Sequence, residues 1–295
     1  MSPPRQRGGA PGSTPASTMQ RLIFNADDLG LSPQVNAAVE QAHREGVLTA
    51  ASLMVGEPAL AEGVAVARRN PGLAVGLHLT LTDGTPTLPP AQIPALTQPN
   101  GRFRDDMAGL GLTLAISAAA RAQLRAEIAA QFAAFAATGL ACDHLNAHKH
   151  YHLHPVIAAC AFAEAARHGV KAVRIPWEPP ALIHAVEPGA ATQPRALQPF
   201  TWLLRRLAAR HGLRAPDRVV GLAWSGAFTA ERLAAVLPHL PPGVTEIYLH
   251  PATAGGFPGQ APGYRYAEEL AALLAPQVRA ALGATPRFGY TAALQ

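Results

Sequence analysis

The sequence predicts a single α/β domain folded as a (β/α) barrel, either distorted or seven-stranded. Short apolar segments alternate with segments of helical periodicity along the 295 residues, which is typical of βα units and a largely parallel sheet. Polar residues follow several of the apolar segments directly, as expected where the C-terminal ends of parallel strands meet at one face. The length and an apolar fraction of 49% suit one large core.

Strands are predicted where short apolar runs stop at glycine, proline or a polar pair. They cover 20–26, 48–55, 73–81, 140–145, 171–175, 218–222 and 244–249, with a further short one at 287–289. Helices are predicted between them from capping residues and from apolar residues at helical spacing. They cover 33–45, 59–69, 118–137, 155–167, 200–211, 230–237 and 266–282.

The first helix has the clearest boundaries. Ser32 supplies an N-cap, Pro33 suits the first helical position and Gly46 ends the helix. The longest helix is predicted from an apolar face repeated every three or four residues. That face consists of Leu124, Ile128, Phe132 and Phe135.

The remaining segments are predicted to be irregular. Residues 83–106 are rich in Pro, Gly and Thr, which favours a long loop over the site, and 178–199 are dense in proline. Residues 1–18 carry no apolar core of a secretory signal and are predicted to be a disordered tail. The barrel domain is therefore expected to cover 19–295, with Met19 as an alternative start.

Composition narrows the class of partner. The formal net charge is +5, and it is almost all arginine because Lys149 and Lys171 are the only lysines. No basic run is interleaved with aromatic residues, so no nucleic-acid partner is expected, whereas attraction to an anionic membrane surface stays open. Cys142 and Cys160 lack CxxC spacing, and no charge-free apolar stretch approaches the roughly 20 residues of a membrane span. A reduced, cytoplasmic protein is expected.

Five of the twelve histidines lie between His144 and His154. An apolar core would have to supply a partner for every ring nitrogen, whereas neutral imidazole is the commonest metal ligand and a proton carrier near neutral pH. If the segment is extended, His148, His150 and His152 share one face. We expect one of these three to bind a metal ion and the others to contact that ligand or a substrate.

Carboxylates and further histidines follow other predicted strands. Asp27 and Asp28 lie at a strand-to-turn junction, His78 lies near the end of LAVGLHLTL, and His250 precedes a proline that would hold it rigid as a proton donor. Each has a plainer explanation: Asp before Gly is a common turn former, and His78 could be a hydrogen-bonded core histidine. Two histidines and a carboxylate with one position left for water form a hydrolytic metal site, which favours zinc and leaves magnesium or manganese open.

Four motifs in this sequence carry a resemblance to a known family. They are NADDLGLS (25–32), VGLHL (75–79), HLNAHKHYH (144–152) and HP (250–251). In order and spacing they resemble the YdjC-like carbohydrate deacetylases, metal-dependent enzymes of the sugar-deacetylase (β/α)-barrel superfamily, over about 21–294. Segments GRFRDD (101–106), NAHKH (146–150), GLAWSG (221–226) and EIYLHPA (246–252) are similar to the hopanoid-biosynthesis-associated branch.

The resemblance implies removal of the acetyl group from an N-acetylglucosaminyl hopanoid, which leaves a free amine. Position by position, Asp28, His78 and His148 match the ligands of one divalent metal ion, zinc or magnesium. Asp27 matches the general base and His250 a general acid. The implied partner is an acetylated amino sugar on a lipid, reached from the inner face of the membrane, and a homodimer is left open.

Four further residues are expected to contact the sugar. His150 and His152 belong to the histidine segment, and Arg174 and Trp177 follow the fifth predicted strand. A surface salt bridge for Arg174 and a core position for Trp177 are equally consistent with the pattern.

Two positions depart from the family pattern. Leu29 stands where the family often has phenylalanine, which is a packing change. Asn146 stands where it often has aspartate, which removes a charge next to the expected ligand His148.

Three other functions fit parts of the pattern. A soluble chitooligosaccharide deacetylase would use the same chemistry in a long polar cleft, whereas an apolar groove would favour the hopanoid. A metal-dependent phosphoesterase would need an arginine cluster facing the metal. A non-catalytic sugar-binding barrel would keep metal and sugar affinity without turnover.

Overall fold

The computed structural model describes residues 19–194 and 198–295, so the predicted tail at 1–18 lies outside the described residues. Parallel strands in this part of the chain form one sheet in the order β4-β3-β2-β1-β6-β5. The strands are β1 (Gln20–Leu29), β2 (Ala50–Leu53), β3 (Ala74–Leu79), β4 (Leu145–Ala147), β5 (Arg218–Val220) and β6 (Gly243–Leu249). The predicted α/β class with a parallel sheet is confirmed.

Helices connect successive strands, as parallel pairing requires. They are α1 (Pro33–Glu45), α2 (Leu60–Arg69), α3 (Met107–Ile116), α4 (Ala118–Ala137), α5 (Pro155–Arg167), α6 (Pro180–Val186), α7 (Gln198–Arg210), α8 (Ala230–Val236), α9 (Tyr266–Leu274), α10 (Pro276–Leu282) and α11 (Tyr290–Ala293). Short 3₁₀ turns occur at Pro90–Gln92, His148–Leu153 and Leu237–His239. The Ser32 side chain accepts a hydrogen bond from the Val35 amide and caps α1, as its position predicted.

Strand β1 is the centre of the sheet. It is hydrogen-bonded to β2 on one side and to β6 on the other, and every residue from Leu22 to Leu29 is buried. A parallel strand that is covered on both faces consists mainly of apolar residues, which is why residues 20–26 could be predicted as a strand. The strand continues past that run, so Asp27 and Asp28 are carried into the interior instead of leaving it in a turn.

The predicted fifth strand at 171–175 is irregular, and a count of seven strands is not confirmed. The Leu145 amide donates to the Ala172 carbonyl (3.0 Å), and the Val219 amide donates to the Trp177 carbonyl (2.8 Å). The segment therefore bonds to the edge strand β4, and Trp177 just after it bonds to the other edge strand, β5. The segment places Arg174, whose amide donates to the Leu145 carbonyl (2.9 Å), inside the molecule.

Other segments also differ from the sequence prediction. The strand predicted at 140–145 is observed as β4 at Leu145–Ala147, and Arg287 of the short strand predicted at 287–289 forms an isolated bridge to Leu22.

The predicted helix at 266–282 is divided into α9 and α10 at Ala275, which is extended (φ −63°, ψ 131°) because the following proline disfavours helical geometry there. The region 178–199 includes the short helix α6. Helix α3 was not predicted, since its sequence MAGLGLTLAI is apolar on all sides and shows no periodicity.

No single helix among residues 19–194 and 198–295 is long and apolar enough to cross a membrane. Helices α3 and α4 together meet that test of length and composition, but the chain bends by 112° between them.

Candidate metal centre and active site

A cleft of about 810 Å³ opens at the C-terminal ends of the strands. It is lined by the predicted residues Asp27, Asp28, His78, His148, His150 and His250. They come from the end of β1, the end of β3, the turn after β4 and the residue after β6. Because parallel strands direct these ends to one edge, side chains more than 200 positions apart share one cleft.

Asp28, His78 and His148 form the centre of this cleft. Asp28 Oδ1 lies 3.2 Å from His78 Nε2 and 3.2 Å from His148 Nδ1, and one ligand atom from each residue lies within 4.8 Å of the other two. Ligand atoms that share a tetrahedral ion at about 2.1 Å are about 3.4 Å apart. Two imidazole nitrogens and a carboxylate at this spacing fit a divalent cation.

The local backbone brings the Asp28 carboxylate to this position. The register between β1 and β2 is broken between Ala26 and Leu29, and Asp28 has a φ of 68°. Gly30 follows with a φ of 90°, a conformation that costs glycine little. An aspartate held in the left-handed region is strained, which is common at functional sites.

Asn146 sets the orientation of His78. The two residues are register partners in β3 and β4, and Asn146 Oδ1 accepts a hydrogen bond from His78 Nδ1 at 2.7 Å. The Asn146 amide group donates to Ser52 Oγ (2.7 Å) and Asp27 Oδ1 (3.2 Å), which fixes its oxygen towards His78. The bond leaves His78 Nε2 free to bind a cation. Asn146 therefore acts on His78, and the expected effect of this position on His148 was wrong.

Burial by itself would raise the pKa of Asp28. The hydrogen bonds and charges of His148 and His78 outweigh it and hold the pKa well below its usual range. Asp28 is thus a carboxylate at neutral pH, which is the form that binds a cation.

Asp27 lies in a buried charge network under the cleft. Arg174 donates to Asp27 Oδ2 (2.7 Å) and Oδ1 (2.9 Å), and its Nε donates to Glu246 Oε1 (2.6 Å). Asn25 Nδ2 adds a bond to Asp27 Oδ1 (2.8 Å). Burial alone would raise the pKa of Asp27, but the charge and hydrogen bonds of Arg174 hold it well below its usual range.

His250 faces Asp27 from the end of β6. Its Nε2 lies 3.9 Å from Asp27 Oδ2, and its Nδ1 lies 3.7 Å from Glu269 Oε2. Glu269, on α9, is fully buried and also accepts the His250 and Phe228 amides. Burial favours the neutral ring, but the contact with Glu269 and the charges of Asp28 and Asp27 raise the pKa of His250 to about 9. The ring is therefore protonated at neutral pH.

The family model described as YdjC-like protein matches residues 21–284. The chain belongs to the YdjC-like protein family. A carbohydrate deacetylase from Brevibacillus brevis is 41% identical over 157 residues, which cover 53% of this chain and 60% of that protein. Carbohydrate deacetylase 1 from Listeria innocua is 43% identical over 95 residues, 32% of this chain and 38% of that protein. The chain thus spans at most about 60% of the length of these curated relatives.

A solved structure of this fold comes from Enterococcus faecalis V583, a protein with a proposed role in cellobiose-phosphate cleavage. The two folds superpose with a TM-score of 0.75 over 94% of this chain and 100% of that one, at 24% sequence identity. The similarity supports the fold.

Three residues expected to contact the sugar do not line the cleft of this YdjC-like protein. Arg174 is fully buried, and both ends of its guanidinium are held by carboxylates. His152 is 1% exposed and bonds to the Arg174 carbonyl at 2.8 Å. Trp177 is half-buried on the segment that joins the sheet edges. Their expected sugar contacts do not fit these positions.

The histidine segment is a 3₁₀ turn rather than an extended strand. Lys149 and His150 have φ values of 52° and 53°, so the alternation that would place three histidines on one face is lost. His148 and His150 face the cleft, and His150 Nε2 lies 3.1 Å from the Tyr248 hydroxyl. His152 turns inward. The condition for a shared face, an extended segment, is not met because two left-handed residues interrupt it.

Sequence reasoning missed Glu246 and Glu269. A signal existed for Glu246, since a carboxylate in the buried strand VTEIYL and an arginine in KAVRIP each need an opposite charge. Glu269 had no such signal. It belongs to a helical run AEEL in which the neighbouring Glu268 is an ordinary exposed partner of Arg265.

Proposed function

We propose that this protein is a metal-dependent deacetylase that hydrolyses the N-acetyl group of an amino sugar, and that its substrate is an N-acetylglucosaminyl hopanoid. The observation that carries the proposal is the set Asp28, His78 and His148, with one carboxylate and one protonated histidine beside it. Family membership and the carbohydrate deacetylases among the relatives support the reaction class.

Asp28, His78 and His148 would hold the cation. When bound, a divalent cation polarises the acetyl carbonyl and lowers the pKa of water from about 15.7 towards about 7. Asn146 keeps His78 Nε2 turned towards the site, and the buried carboxylate of Asp28 supplies the negative charge that the ion requires.

Asp27 acts as the general base. Arg174 holds its carboxylate ionised and fixed in orientation, so it can accept the proton of the attacking water. Water adds to the acetyl carbon, and the carbon–nitrogen bond then breaks. The protonated Nε2 of His250 gives its proton to the departing amine, and the products are acetate and an amino sugar.

The same pair of residues restores the site after each turnover. His250 has lost a proton and Asp27 has gained one. Because the pKa of His250 is about 9 and that of Asp27 is well below its usual range, the proton passes from the carboxyl to the imidazole. The 3.9 Å between Asp27 Oδ2 and His250 Nε2 makes that transfer local.

Replacing Asp27 with asparagine tests the base. We expect Asp27→Asn to lower kcat about 10³-fold, within the usual contribution of general base catalysis, while metal content and sugar affinity are unchanged. Acetate release, metal analysis and equilibrium binding measure these quantities. Asp105→Asn is the matched control, since Asp105 is an exposed residue of the cleft wall. Full activity in Asp27→Asn would show that Asp27 is not the base. Activity absent even from the wild-type protein would favour a non-catalytic sugar-binding barrel.

Replacing Glu269 with glutamine tests the acid through pH dependence. Activity that needs protonated His250 falls as the pH rises through about 9. Without the Glu269 charge, burial lowers the pKa of His250, so the alkaline limb of kcat/KM moves to lower pH. The exposed neighbour Glu268→Gln is the control and leaves the limb in place. A limb that does not move in Glu269→Gln would show that this contact does not hold the proton on His250.

A soluble chitooligosaccharide deacetylase is the second candidate, and one observation favours it. The loop before α3 lines the cleft with polar side chains, among them Gln98, Asn100 and Arg102, which suit sugar hydroxyls. The loop before α9 instead contributes apolar or aromatic side chains to the cleft, among them Pro258 and Tyr264. Acetate released from acetylglucosaminyl hopanoid and from diacetylchitobiose, measured side by side, separates the two substrates.

The cleft gives no comparable reason to favour a phosphoesterase. Among the described cleft-lining residues the arginine and lysine side chains are Arg102 and Lys149. Arg102 donates to the Asp83 carbonyl (3.0 Å), and Lys149 is paired with the Asp83 carboxylate. Both cations are already engaged.

A further inference from the structure

Large hydrophobic side chains are exposed mainly on two helices. In the part of the chain that the structure describes, the exposed set is Met19, Leu112, Ile116, Phe200, Trp202 and Leu203, with exposures of 50–75%. All except Met19 lie on α3 or α7. Neighbouring exposed apolar side chains, such as Leu112 and Ile116 one helical turn apart, mark an interaction site in a folded protein.

Helix α7 exposes large apolar side chains to solvent, whereas an ordinary surface helix exposes mainly polar ones. Thr201, Leu204 and Ala208 are buried. Trp202 and Leu203 lie on the opposite half of the helix by helical spacing, together with the exposed Arg206 and Arg210. Phe200 lies one turn before Leu204 and is exposed in the first turn of the helix. The guanidinium of Arg206 lies 3.7 Å from the centre of the Trp202 ring. That half of the helix therefore combines apolar and cationic groups.

Charge on these helices has one sign. The sequence of α7, QPFTWLLRRLAAR, contains three arginines and no acidic residue. The sequence of α3, MAGLGLTLAI, has no charged residue, and the first two turns of α4 after it carry Arg121 and Arg125. Apolar side chains flanked by arginine match the acyl boundary and the anionic headgroups of a bilayer.

Both helices contact the His148–Leu153 turn, which carries residues of the cleft. The Tyr151 hydroxyl donates to the Met107 carbonyl at the start of α3 (2.7 Å), and α7 contacts the same His148–Leu153 turn. His148 and His150 of that turn line the cleft. The exposed apolar residues are therefore attached to the element that holds one of the proposed metal ligands.

We propose that the exposed faces of α3 and α7 dock on the headgroup layer of an anionic bilayer and hold the cleft beside it. The consequence for the reaction depends on the proposed function: an acetylated sugar whose lipid stays in the membrane reaches the site from the bilayer surface. The docking itself requires no turnover.

Vesicle flotation of the full chain tests the docking. We expect wild-type protein to float with phosphatidylcholine vesicles that contain phosphatidylglycerol and to stay unbound with phosphatidylcholine alone. The triple change Phe200→Ser, Trp202→Ser and Leu203→Ser should reduce the bound fraction at least about fivefold, and Leu112→Ser with Ile116→Ser should reduce it as well. Circular dichroism confirms that each variant is folded.

Charge is tested by a matched pair of double variants. Arg206→Gln with Arg210→Gln removes two charges from the α7 face and should weaken binding to anionic vesicles. Arg44→Gln with Arg279→Gln removes the same charge from exposed positions on α1 and α10 and should leave binding unchanged. No binding to either vesicle, or equal loss in both double variants, would overturn the proposal. So would a wild-type dimer in sedimentation that the α7 variant dissociates without any vesicle binding.

Acetate release from soluble diacetylchitobiose separates this proposal from the proposed function. If the variants and the wild type hydrolyse the soluble sugar equally while no protein binds vesicles, the docking is wrong and the deacetylase stands. If wild-type protein binds anionic vesicles through α7 but releases no acetate from any acetylated sugar, the docking stands and the deacetylase is wrong.

Discussion

Asp28→Asn is expected to lose the divalent metal of the proposed centre and at least about 10⁴-fold of the proposed deacetylase activity. Asparagine has nearly the same shape but offers no negative charge between His78 and His148. Loss of the cation removes both the polarisation of the carbonyl and the lowered pKa of water, and together these lower the barrier by several kcal/mol. Metal analysis of the purified protein and acetate release measure the two effects.

The comparison with Asp105→Asn makes this result specific. Asp105 lines the same cleft but has no place among the three donor atoms, so this variant should keep about one equivalent of metal. Activity in Asp28→Asn near that of the control, with metal still bound, would contradict the assignment of the centre.

Arg174→Met is expected to have the largest effect on stability. Arg174 is the cation between Asp27, 2% exposed, and Glu246, fully buried. Removing it leaves two buried carboxylates without the guanidinium that pairs with both, and breaking a buried pair in this way costs about 3–5 kcal/mol. Urea unfolding followed by circular dichroism measures the change in the free energy of unfolding.

Two further variants separate the charge from the packing. Adding Glu246→Gln to Arg174→Met should recover part of the lost stability, because one buried charge fewer remains unpaired. Arg44→Met, an exposed arginine 3.9 Å from Glu40, should change the free energy of unfolding by no more than about 0.5 kcal/mol. Equal stability of Arg174→Met and Arg44→Met would show that the network does not stabilise the fold.

The fold was predictable where one physical rule acts locally. The long helix was predicted and observed at Ala118–Ala137, because its apolar face repeats at helical spacing and Ser117 caps it. The β1 and β6 runs were recognisable because strands buried on both faces are apolar. The strand predicted at 171–175 does not form as a regular strand, since the pairing of this segment is limited to bridges with Leu145 and Arg214.

The centre itself was predictable from position along the strands. Asp27, Asp28, His78 and the histidine segment each follow or end an apolar run, and parallel topology brings such ends together. The choice of Asp28, His78 and His148 as ligands came from the resemblance to the family. Their neighbours were harder to assign. Arg174 was expected at the cleft because it also follows a strand, but its side chain lies beneath Asp27, where two carboxylates attract it.

By itself, the sequence determined the parallel α/β class, the helices with strong periodicity or caps, and the polar residues at strand ends. These depend on local spacing and on the direction of strands. Tertiary structure decided which neighbour each polar side chain meets: Arg174 with Asp27 and Glu246, Glu269 with His250, and Asn146 with His78. Those pairings join residues up to 147 positions apart and depend on how the strands and helices pack in three dimensions, which no local pattern encodes.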